Sequence, residues 1–157
     1  MDKLQFTTEK EIWNFIEECL EHYPANLGRL DTMKKELQIL RMRGDVQAQN
    51  YVRIYNNDSK TRHSDPVPTY VESIQRIEKE IERLTQITDP ITKMIEDLRN
   101  PYSPDSSLNS DFLEIMGLGY FGRNNVANIL DATGLSRAAY FRKKKQLAEL
   151  ARSYFGI

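Results

Sequence analysis

Cysteine and histidine are almost missing from this 157-residue chain, which holds one of the first and two of the second. A lone cysteine, Cys19, excludes an internal disulfide framework and fits a reducing compartment. With only His22 and His63 beside it, a three- or four-ligand zinc site is out of reach unless carboxylates join. Cys19 and His22 do stand three apart on one predicted helix. The preferred reading is an apolar-face thiol next to a helix-end imidazole rather than a shared metal, and no cofactor or metal is expected. Long apolar runs are missing too. No stretch of about eighteen apolar residues could cross a membrane, and Met1-Asp2-Lys3-Leu4-Gln5 lacks the charged-then-apolar order of a signal peptide. The expectation is a cytoplasmic protein with no membrane partner. There is also no phosphate-cradling glycine loop, no metal-ligand cluster and no Ser-His-Asp or Cys-His arrangement, so an enzyme is not expected.

What is present is charge, unevenly spread. The formal net charge is −1. From Tyr120 onward, however, seven basic residues (Arg123, Arg137, Arg142, Lys143, Lys144, Lys145, Arg152) face two acids, a net of +5, while the preceding 119 residues carry −6. An acidic body with a basic end suggests that one end alone meets a polyanion.

Helical periodicity runs through most of the chain, predicting an all-α fold. Thr8-Glu9-Lys10-Glu11 fits a capping box, and Ile12, Phe15, Ile16, Cys19, Leu20 and Tyr23 recur at helical spacing up to Pro24, where the helix should end. Leu30, Met33, Leu37 and Leu40 predict a second helix stopping near Gly44, and the two would form a hairpin. Residues 44–68 break the pattern: Asn56-Asn57-Asp58-Ser59 is turn-like, Asp65-Pro66-Val67-Pro68 is stiff and extended, and Tyr51, Val52, Ile54 and Tyr55 either pack on the core or pair as a short strand. A long helix should start near Thr69, with Ile74, Ile77, Ile81 and Leu84 on heptad positions. Ile91, Ile95 and Leu98 stay in frame beyond Pro90, so the helix either kinks or restarts there with Asp89 as cap. This seam suits an intramolecular bundle better than a free coiled coil. Glu78, Lys79, Glu80, Glu82 and Arg83 form its solvated side.

The segment from Asn100 to Ser107, with Pro101 and Pro104, predicts a linker. The expected plan is a helical oligomerisation or interaction region over 1–100, a linker over 101–109 and a DNA-binding domain over 110–157. Ser110 can cap a short helix through Phe112, Leu113, Ile115 and Met116, ending at Gly117-Leu118-Gly119, after which Asn124 or Asn125 opens the next.

The last part has the order of a helix-turn-helix. Val126, Ala127, Ile129 and Leu130 make an apolar face, Gly134 supplies a left-handed turn position, and Ser136 caps a second helix. Leu135, Ala139 and Tyr140 should face the core. Ser136, Arg137, Ala138, Phe141 and Arg142 then lie on or beside the outer face, with Arg137 early enough to reach a guanine edge and Lys143, Lys144, Lys145 and Arg123 suited to phosphate. For Phe141 a core role is preferred to base stacking. The position four before the turn glycine, usually small in such motifs, is Leu130, which would alter how the helices cross.

These features resemble the RinA/ArpU-type phage transcriptional activators, over nearly the whole chain. The matching residues are Ile16-Glu17-Glu18-Cys19-Leu20-Glu21-His22-Tyr23-Pro24, then Ser64-Asp65-Pro66 before a long helix, then Leu135 to Lys145 followed by Phe155-Gly156. The resemblance implies a sigma-like helix-turn-helix that binds double-stranded DNA and activates late or packaging genes of a phage or phage-like element. It would act in the bacterial host, associated with the nucleoid and possessing no cofactor. The expected partners are DNA, RNA polymerase and further copies of the chain joined through the N-terminal helices. Two other functions fit less of the sequence: a small terminase-like packaging subunit, and a helical antirepressor whose basic helix meets an acidic protein.

Overall fold

A computed structural model describes residues 4–57, 67–102 and 106–157. Every regular element among them is helical. Five α-helices follow in chain order: α1 (Glu9–Asn57), α2 (Val67–Leu98), α3 (Ser106–Ile115), α4 (Val126–Thr133) and α5 (Arg137–Phe155), with a π-helical turn (Met116–Phe121) between α3 and α4. No helix among the described residues is long and apolar enough to cross a membrane.

Local signals set several helix ends. Thr8 Oγ1 accepts the Glu11 amide at 3.3 Å, as a capping box requires, but the Glu11 carboxylate reaches back to Thr7, accepting its amide at 2.8 Å and its hydroxyl at 2.9 Å. The box therefore closes one residue early, still satisfying amides that the first turn leaves free. Val67 and Pro68 open α2, where a missing proline N–H costs little because first-turn amides lack partners anyway.

Other boundaries depart from the sequence reading. Pro24 does not end α1, nor does Gly44, and the helical backbone continues to Asn57. A mid-helix proline costs about 3 kcal/mol, yet buried Leu20 and Tyr23 precede it and buried Leu30 follows it. Packing on both sides holds the backbone helical through the break. Tyr51, Val52, Ile54 and Tyr55 lie in helical backbone, which rules out the short strand. The Asp58-Ser59 and Asp65-Pro66 readings, with Ser64 of the resemblance, lie outside the described residues. Of the two alternatives left open at Pro90, the restart at Asp89 is overturned, since α2 runs as one helix through the proline. There Ile91 is wholly buried, while the Thr92 hydroxyl bonds both the Thr88 carbonyl (3.1 Å) and the Tyr23 hydroxyl (2.8 Å). α3 begins at Ser106 rather than at Ser110. Of the proposed linker, residues 103–105 lie outside the described residues.

The chain clusters into two units, one formed by residues up to Asn26 with Gln86–Ile157 and the other by Leu27–Thr85. The first has a continuous apolar core built from Ile16, Cys19 and Leu20 of α1, Ile91, Met94 and Leu98 of α2, Phe112, Ile115 and Met116 around α3, Ile129 of α4, and Tyr140, Leu147 and Ala151 of α5. Burying that many large side chains, each contributing about 1.5–3 kcal/mol, is what orders the short helices α3 and α4, which are marginal alone. In the second unit α1 and α2 are linked by Arg29–Glu80 (3.1 Å) and Arg41–Glu78 (2.7 Å). Its apolar seam is only partly covered: Leu30, Ile77 and Leu84 are buried, whereas Met33, Leu37, Leu40, Ile74 and Ile81 are half-buried.

Candidate nucleic-acid interface

The basic end of the chain is organised by α4, a three-residue connection and α5. Asn125 caps α4, its side chain accepting the Asn128 amide at 2.8 Å. The helix closes on Gly134 at φ 70°, whose amide bonds the Leu130 carbonyl at 2.9 Å. A side chain is strained at this left-handed position, which explains the glycine. Ser136 then caps α5, its hydroxyl accepting the Ala139 amide at 3.2 Å. Ile129 and Tyr140, each 2% exposed, anchor the two helices in the first unit's core. Leu130 and Leu135 pack against that core and Ala139 is half-buried, but Ala127 is exposed and takes no part in the apolar face.

With Tyr140 inward, Ser136, Arg137, Ala138, Phe141, Arg142 and Lys145 are all exposed. Phe141, expected in the core, is 44% exposed because Tyr140 takes the inward position and its neighbour, about 100° further round the helix, falls at the solvent boundary. The Arg137 guanidinium lies 5.5 Å from the centre of the Phe141 ring.

The structure sorts the seven cations. Lys143 is half-buried and donates to the Asp111 carboxylate of α3. Arg152 holds Glu9 through two contacts, 2.7 and 3.2 Å, and lies 4.9 Å from the Trp13 ring centre. That guanidinium keeps the Glu9 carboxyl below its ordinary pKa. Arg123, in a left-handed backbone conformation at φ 50°, stands 4.0 Å from Glu21. Arg137, Arg142, Lys144 and Lys145 make no carboxylate pair among the described residues. Lys144 instead sits 5.1 Å from the Tyr120 ring centre. Burial, followed by Glu17, drives the Tyr120 hydroxyl well above its ordinary pKa, so it stays protonated and donates to Glu17 at 3.0 Å.

Of the residues singled out by sequence, α5 thus presents Ser136, Arg137, Ala138, Phe141, Arg142 and Lys145 together, with Lys144 half-buried at their edge. Lys143 and Arg123 are drawn to acids elsewhere. Sequence reasoning missed Trp13 and Glu17 of α1, which with Phe141, Lys144, Lys145 and Ala148 line an open groove of about 360 Å³. Only helical phase could have hinted at them. Trp13 lies next to the apolar face of α1, but nothing local links α1 to α5. Among the described residues no group of three or more histidine, cysteine or acidic side chains could hold a metal ion.

Comparison with protein-family models, curated proteins and solved structures finds no match.

Proposed function

We propose that the chain is a sequence-specific, double-stranded-DNA-binding transcriptional regulator in which α4, the Gly134 turn and α5 form a helix-turn-helix. The observation that carries this reading is the set of four cations without carboxylate partners among the described residues, Arg137, Arg142, Lys144 and Lys145, in the first half of α5. Cations held by acids have little left for phosphate; Arg137 adds to the partial positive charge at the start of α5, and the other three extend positive charge along the helix. Exposed Arg137 and Arg142 are placed for base edges and adjacent phosphates, and Lys144 and Lys145 for the backbone alone.

The resemblance to RinA/ArpU-type activators supports activation of late or packaging genes of a phage or phage-like element, with RNA polymerase as a further partner. The chain works as a homodimer or higher homo-oligomer joined through its second unit. In that unit Ile39 (50%), Met42 (63%) and Val71 (45%) are exposed beside a half-covered seam. Two helices rarely cover their own apolar stripes, and a second pair would complete a bundle. Doubling the basic helices would also set a half-site spacing on DNA.

The test is capture of duplex fragments from a random-sequence pool by the purified full-length protein, sequenced at two salt concentrations. Enrichment of one sequence that survives the higher salt is expected. Failure to retain DNA at either salt would overturn the reading in favour of a protein partner.

A further inference from the structure

The apolar part of the α5 surface is as defined as its cationic part. Phe141 is exposed, yet its ring is held in place: it lies edge-on to buried Tyr140 with centroids 5.1 Å apart, and the Arg137 guanidinium covers it from one turn earlier. Ala138, three residues before, is exposed on the same face. Arg142 follows directly. Isolated surface apolar residues are ordinary, but this one is fixed within a cluster of cations that have no carboxylate partner among the described residues. Its flank toward Trp13 and Lys144 stays open as the groove wall.

We propose that Ala138 and Phe141 form an apolar spot that reads the C5 methyl group of thymine in the major groove. The inference rests on the DNA-binding reading and names the base which that surface selects. Thymine alone among the four bases carries a methyl group on the major-groove edge, and small or aromatic apolar side chains are its natural contacts. Arg137, stacked on the same ring, would place its donors beside the methyl, where a neighbouring base edge or phosphate supplies acceptors. Phe141 is therefore a specificity residue in its own right, alongside the arginines.

The experiment uses the full-length protein and the duplex it enriches best, remade with each thymine singly replaced by deoxyuridine. The replacement removes the methyl and leaves every hydrogen-bonding group in place. At one or two positions the native chain should lose about fourfold in affinity, the loss of one buried carbon's worth of contact. Phe141→Ala should bind more weakly but show no further loss on replacement, while Phe141→Leu should keep part of it. A native chain indifferent to deoxyuridine everywhere, or a Phe141→Ala variant with an undiminished penalty, overturns the proposal. DNA retained without sequence preference overturns the thymine spot and leaves a DNA-binding surface standing. No retention at all removes both.

Discussion

Lys143 donates to the carboxylate of Asp111, joining α5 to α3 and turning one member of a three-lysine run away from the exposed face. The neighbouring Lys145 is exposed and has no such partner among the described residues. Three adjacent lysines of identical chemistry therefore stand in three different surroundings, with Lys144 over the Tyr120 ring between them.

Substitutions in this run should separate accordingly. Lys143→Ala is expected to lower stability by about 1 kcal/mol in urea unfolding, since one partly buried charge loses its partner, and to leave the salt dependence of DNA affinity unchanged. Lys145→Ala should leave stability unaltered and flatten the salt slope by about one. Arg137→Ala should instead relax sequence preference, at about 1–3 kcal/mol on the preferred duplex. Equal salt slopes for the two lysine variants would contradict the division.

Gly134→Ala forces a methyl-bearing residue to hold φ near 70° between α4 and α5. Nothing lies within 4 Å of the added carbon, so the cost is backbone strain alone, about 1 kcal/mol. Urea denaturation followed by circular dichroism should show a lower midpoint with an unchanged slope.

Self-association should depend on the second unit. Replacing Ile39 and Met42 together with glutamate adds charge to an exposed apolar strip without touching buried Leu30, Ile77 or Leu84. Light scattering is expected to show multiples of the 18.4 kDa chain mass for the native protein and a smaller species for the double variant. A native chain that runs as a monomer at all concentrations would rule out the oligomer.

Alkaline pH should weaken the first unit. Burial, then Glu18, pushes the Cys19 thiol from its ordinary 9.0 up to about 12. The unfolded chain therefore loses this proton first, and the stabilisation, complete below the ordinary value, is lost as pH rises toward about 12. Burial and Asp97 raise the Tyr154 hydroxyl to about 12 and add to the same trend. Thermal unfolding across about pH 8 to 11, scanned for the native chain and Cys19→Ala, should show an earlier and steeper decline in the native chain.

Much of the helical layout was legible in the chain itself. The apolar spacing of Ile12 to Tyr23 and of Ile74 to Leu98 predicts the inward faces found in α1 and α2, and Asn125, Gly134 and Ser136 occupy the caps that their side chains favour. These rules act over three or four residues, so sequence suffices for them. The same locality made Pro24 and Gly44 look like stops and left a kink or a restart open at Pro90, because each weakens a helix when only its own turn is counted.

What the sequence by itself determined is the helical class, the capped turn before α5 and the concentration of positive charge at one end of the chain. Tertiary structure decided whether prolines end helices, which aromatic of the Tyr140-Phe141 pair is buried, and which cations remain unpaired. Asp111 lies 32 residues from Lys143, and Glu9 lies 143 residues from Arg152. Such partners meet only when a shared core brings distant helices together, and an acid within reach alters what a basic side chain can bind.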